Sequence, residues 1–210
     1  MALDELLDEH EQGERVRTWL KQNSLGLVGG IALALALIGG GRWWTQQVHQ
    51  KRVAIGESYR AAFDSLSAGD IDGAKPLVDS LAGTPYGPLV ALDLAKARLA
   101  AGDRDGAIAT LRAAGSDDPG LSAVIRQRLA RLLVDAGQGE EALALLAGDG
   151  DAAAIEARGD AHHALGRTEE ARREYGEALR KLDVAAPQRA LLELKLTQAG
   201  GEPETTGTES

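Results

Sequence analysis

Gly102-Asp-Arg-Asp-Gly-Ala107 is one of four stretches built on one pattern, the others being Gly69-Asp-Ile-Asp-Gly-Ala74, Gly137-Gln-Gly-Glu-Glu-Ala142 and Gly166-Arg-Thr-Glu-Glu-Ala171. The leading glycines are 33, 35 and 29 residues apart, and alanine stands five residues after each. Four residues beyond each alanine comes a larger apolar or aromatic side chain: Val78, Leu111, Leu146 and Tyr175. Seven residues before each glycine the residue is small: Ala62, Ala95, Ala130 and Gly159. Glycine ends a helix readily because it takes the left-handed conformation without a Cβ clash. Acidic residues just after it (Asp72, Asp105, Glu140, Glu169) suit the positive N-terminal end of the next helix. Each unit therefore reads as helix, glycine turn, helix, with small residues at fixed points where two antiparallel helices press together.

A period near 34 with this grammar resembles the tetratricopeptide repeat. The fourth unit departs from it by carrying Arg158 and His162 where apolar residues are expected. The alternative is an alanine-rich bundle without repeat register. The chain of 210 residues is 44% hydrophobic but only 3% aromatic, so alanine and leucine must do the packing. A stacked array, whose thin core runs between neighbouring units, can be built that way. Pro187 to Leu196 is expected to be a terminal capping helix, and the polar stretch after Gly200 is expected to be disordered.

Outward toward the N-terminus the pattern stops. From Gln22 to Gly41 there are twenty residues without a charge, almost wholly aliphatic from Leu25 to Ile38. As a helix this run covers roughly the 30 Å hydrocarbon thickness of a bilayer. Lys21 and Arg42 bracket it, with Trp19 on one side and Trp43 and Trp44 on the other, where aromatic rings favour the headgroup level. A single transmembrane helix is expected, in contact with lipid. A buried core helix would show a polar stripe, which this run lacks. A cleaved signal peptide would begin with positive charge, whereas Asp4, Glu5, Asp8 and Glu9 come first. Arg15, Arg17 and Lys21 at one end balance Arg42, Lys51 and Arg52 at the other, so charge bias does not orient the span. Gly26, Gly30 and Ala34 form a small-residue row of the kind that lets membrane helices pack closely, although glycine is also simply tolerated there. The expected organisation is a short tail over 1–21, a span over 22–44, an all-α tetratricopeptide-like array over 45–200, and a polar tail over 201–210.

Composition excludes several functions. A net charge of −9 argues against a nucleic-acid binder, which needs a basic surface. The absence of cysteine removes disulfides, thiol nucleophiles and Cys-ligated metal. Gly39-Gly-Gly41 lacks the Lys-Ser/Thr of a phosphate loop. Asp160 and His163 lie three apart and could share an ion, but no third ligand follows at helical spacing, and a solvated polar face is the simpler reading. No catalytic residue, cofactor, metal or small-molecule substrate is expected.

A repeat array works through a surface. In the first helix of each pair, positions three, six, ten and thirteen before the glycine share one face, the concave one in arrays of this kind. Tyr59, Phe63, Leu92, Lys96, Gln127, Arg131, Asp160 and His163 fall on it and are the candidate partner-binding residues. Tyr59, Phe63, Leu92 and Leu99 could equally be core, or be covered by the terminal helix.

An acidic N-terminal tail, a glycine-rich span and Arg42-Trp-Trp44 are followed by Tyr86-Gly-Pro-Leu-Val-Ala-Leu-Asp-Leu-Ala95, Val124-Ile-Arg-Gln-Arg-Leu-Ala-Arg131 and Gly159-Asp-Ala-His-His-Ala-Leu-Gly166. Over about residues 10 to 196 this resembles the YfgM family of Gram-negative bacteria. The resemblance implies an inner-membrane protein with a cytoplasmic N-terminus and a periplasmic repeat domain, ancillary to the SecYEG translocon and acting with the membrane-anchored chaperone PpiD. It also implies a runner-up, a regulator that restrains an envelope stress signalling component. The linker Gly148-Asp-Gly-Asp151 lacks the aromatic that often opens the next helix in that family, and the tail after Gly200 is longer than usual.

Overall fold

A computed structural model describes the backbone of residues 2–202, with side-chain surroundings for residues 15–202 apart from 27 and 31. Among the described residues there is no strand. The helices are α1 (Ala2–Ser67), α2 (Ile71–Leu81), α3 (Gly87–Ala100), α4 (Arg104–Ala113), α5 (Pro119–Asp135), α6 (Gly139–Leu145), α7 (Ala152–Ala164), α8 (Thr168–Lys181) and α9 (Arg189–Gln198). The chain divides after Ala54 into two compact units. The tail over 203–210 lies outside the described residues.

In the second unit the four glycine turns have the expected conformation: φ is +81° at Gly69, +82° at Gly102, +75° at Gly137 and +72° at Gly166. Each closes with the backbone N–H of the following residue reaching back to the last helical turn, as from Asp103 to the Arg98 carbonyl and from Gln138 to the Leu133 carbonyl, both 2.8 Å. Asp70 and Asp103 then cap the next helix by accepting from the N–H of Gly73 and Gly106, each at 2.9 Å. Gly200 has the same geometry, with φ of +77° and the Gly201 N–H 2.9 Å from the Leu196 carbonyl. So α9 ends as the first helix of a pair does. It begins two residues later than expected, after a turn in which the Arg189 N–H bonds the Ala186 carbonyl.

Packing follows the small-and-large rule. Ala62, Ala95, Ala130 and Gly159 are all buried, as are the alanines that open the second helices. α3 packs on α4, α5 on α6 and α7 on α8, and the pairs stack in chain order, with α5 also against α7. The core is nearly all alanine and leucine, in three clusters along the array. The fourth unit's polar departures have a structural account in one case. Arg158 donates to the Leu146 and Asp149 carbonyls at 3.1 and 2.7 Å and pairs with Glu174 at 3.0 Å, satisfying acceptors left at the end of the short helix α6. His162 keeps a buried Nδ1 with no hydrogen-bond partner among the described residues.

In the first unit the apolar run has no core of its own: every described side chain from 15 to 47 is exposed. No single helix among the described residues is long and apolar enough to cross a membrane. Arg15–Gly26 and Val28–Ser67, bent by 44°, pass as a pair on length and composition.

Candidate protein-binding groove

The concave stripe is not uniform. Tyr59 is half-buried, its hydroxyl donating to Asp93 Oδ2 at 3.0 Å and its ring stacked on Tyr86 with centroids 5.1 Å apart. Burial, and then the Asp93 carboxylate, raise its pKa. Phe63, one turn on, is 44% exposed. Leu92 packs against the central core cluster, and Lys96 beside it points to solvent without an ion pair among the described residues. The Gln127 amide donates to both Asp151 oxygens at 3.1 Å, and Asp151 also caps α7. His163 is exposed.

Arg131 and Asp160 do come together. With Val134, Ala153 and Glu156 of the same stripe, and Leu191 and Lys195 of α9, they line a cleft of about 720 Å³. Tyr59 and Phe63 do not reach it. Asp160 is not a free anion there, because Lys195 Nζ lies 2.6 Å from Glu156 Oε1 and 2.8 Å from the Asp160 carboxylate, and the Tyr175 hydroxyl donates to Asp160 Oδ1 at 2.9 Å. Burial disfavours the lysine charge, but the two carboxylates outweigh it and leave the Lys195 pKa raised. Tyr175 is also pushed up, first by burial and then by Asp160. The cleft thus has apolar walls, the exposed Arg131 and Asp135 on its lining, and a floor where Lys195 offsets one of two carboxylates.

The sequence anticipated α9 as a terminal capping helix but not its residues on the cleft. Leu191 and Leu194 are 55% and 53% exposed and prolong the apolar surface past the fourth unit. Counting back from Gly200 as from the other glycines places Leu194 six residues before it, in register with Phe63, Lys96, Arg131 and Asp160. Among the described residues no three His, Asp or Glu side chains gather as metal ligands.

In the first unit, Trp19, Trp43 and Trp44 are 57%, 64% and 67% exposed, and Lys21, Arg42 and Ala34 are exposed as well. Beside Gly26 and Gly30 the space a Cβ would enter is open.

A tetratricopeptide repeat-like domain family matches residues 17–201. The chain is also 31% identical over 198 residues to the ancillary SecYEG translocon subunit of Escherichia coli (strain K12), covering 90% of this chain and 95% of that protein. It belongs to the tetratricopeptide repeat-like YfgM family. The match with the YfgM-family relative extends through both units, the exposed apolar run as well as the repeats.

Proposed function

We propose that this protein is a membrane-anchored scaffold of the protein translocation machinery. Its apolar run spans the inner membrane with the tail cytoplasmic and the array periplasmic. The array links a SecYEG-type translocon to a PpiD-like chaperone through the stripe formed by Tyr59, Phe63, Leu92, Lys96, Gln127, Arg131, Asp160 and His163. The observation that carries this reading is the union of an exposed apolar run bracketed by tryptophans and an open repeat groove, in a chain 31% identical over 90% of its length to a translocon subunit. Three more features support it. The exposed run needs a non-aqueous partner. Gly26, Gly30 and Ala34 offer a close-packing row to a neighbouring membrane helix. The groove's titratable Glu156, Asp160 and Lys195 bond one another, which favours an interaction role over an enzyme.

Capture of the full chain from detergent-solubilised membranes tests it. Sec subunits and a periplasmic chaperone should come down together with the wild type, and the chaperone should be depleted for F63A/R131A. Absence of both would sink the proposal. A reporter after Ser210 that is active only in the periplasm is the expected topology; activity only in the cytoplasm would turn the reading toward the regulator.

A further inference from the structure

A further cleft lies away from the concave stripe, at the seam between the first two repeat pairs. It holds about 920 Å³ between the ends of α2 and α4 and the starts of α3 and α5. Its floor is apolar, with Val78, Val90, Ala91 and Leu121, and its charged lining residues are Asp79, Asp117 and Asp118, with no cation among them. Two helix C-termini and two N-termini meet there, so their dipoles oppose one another and the aspartates set the sign.

The next seam shows what this one lacks. Eleven residues before its turn glycine α5 carries Arg126, whose Nε and NH2 donate to Asp149 of the following loop at 2.9 and 2.7 Å. Arg112, in the last turn of α4, pairs with Glu141 at 2.7 Å. At the corresponding positions the first seam has Ala91 and Asp79. One arginine has become alanine and the other an acid, yet the following loop still carries Asp117 and Asp118. The adjoining cleft in the next seam shrinks to about 430 Å³.

We propose that the first seam is a second docking site, for a partner's peptide segment that carries arginine or lysine flanked by apolar side chains. The incoming cation takes the place that Arg126 fills one step along, and its apolar neighbours cover Val78, Val90 and Leu121. Charge complementarity selects this occupant: aspartates with no cation facing them gain from a charged donor what Asp149 gains within the chain. The proposal does not rest on the translocon reading and is tested separately from it.

The test uses the full chain in zwitterionic nanodiscs, with empty discs as baseline and a short fluorescein-labelled peptide of leucine and arginine as probe. The arginine peptide should bind at least about tenfold more tightly than its leucine–glutamate counterpart. D79N/D117N should weaken it at least about fivefold. Ala91→Arg, which supplies the cation internally, should weaken it at least about tenfold while leaving the melting temperature unchanged or higher. Asp72→Asn, outside the cleft, should bind as wild type. The chain has no cysteine, so a photocrosslinker on Gly115→Cys is site-specific and should capture the peptide, whereas one on Lys96→Cys in the concave stripe should not. Equal binding of the glutamate peptide, undiminished binding to D79N/D117N, or capture from position 96 alone would overturn the proposal.

Discussion

Gly159 stands where any Cβ would lie 2.5 Å from the ring of Tyr175. The other units carry alanine and then valine or leucine at these two positions, so the fourth sets a smaller residue against a larger one. Gly159→Ala should cost roughly 1–3 kcal/mol by overpacking. Tyr175→Leu alone should cost about 1–2 kcal/mol through the lost hydrogen bond to Asp160. The double variant restores the Ala–Leu pairing of the second and third units, and its measured loss in urea unfolding should fall at least about 1 kcal/mol short of the sum. Tyr59 and Phe63 part company in the same way. Tyr59→Ala removes a stack and a hydrogen bond and should cost about 2 kcal/mol. Phe63→Ala removes a half-exposed ring and should cost at most about 1 kcal/mol. Thermal melts of the two variants distinguish a ring held for packing from one available for contact. The small-and-large register was legible in the sequence because it follows chain spacing. The Tyr59–Asp93 and Lys195–Asp160 bonds were not, since they join residues 34 and 35 apart through stacking that no local pattern encodes.

At the level of the element, α9 differs most from expectation. Its existence was legible from Pro187 to Leu196, but its place beside the groove was not: the register was read from four glycines, and Gly200 is followed five residues later by Thr205 rather than alanine. The helix docks by Leu192, Leu196 and Ala199 against α8 and by the Lys195 network against α7. Lys195→Met leaves Glu156 and Asp160 facing each other and should cost about 2 kcal/mol, or roughly 4–8 °C in melting temperature. Folded Lys195 has a pKa above the ordinary 10.5, so its contribution is whole below that value and is lost as pH rises through the folded one. Tyr59 and Tyr175, also raised, act with the same sign because their neutral forms are favoured in the fold. The melting temperature should therefore hold from about pH 7 to about pH 9 and fall above roughly pH 10, with a shallower fall in Lys195→Met.

For the whole molecule, the exposed apolar run governs behaviour in water. The full chain should sediment with membranes, stay there through a high-salt wash and leave only with detergent; release by salt alone would count against the span. The repeat array was legible because a repeat register is a statistical feature of many residues. The bend between Arg15–Gly26 and Val28–Ser67 was not, as nothing in an apolar composition distinguishes a straight helix from a bent one. The turn at Gly200 bears on growth of the array. The left-handed glycine and its back-bonded N–H are the hardware that elsewhere launches a second helix. A helix opening with the acidic, alanine-bearing pattern of α8, grafted directly after Gly200, has a preformed turn from which to start, and the array can be lengthened by half a module without redesigning what precedes it.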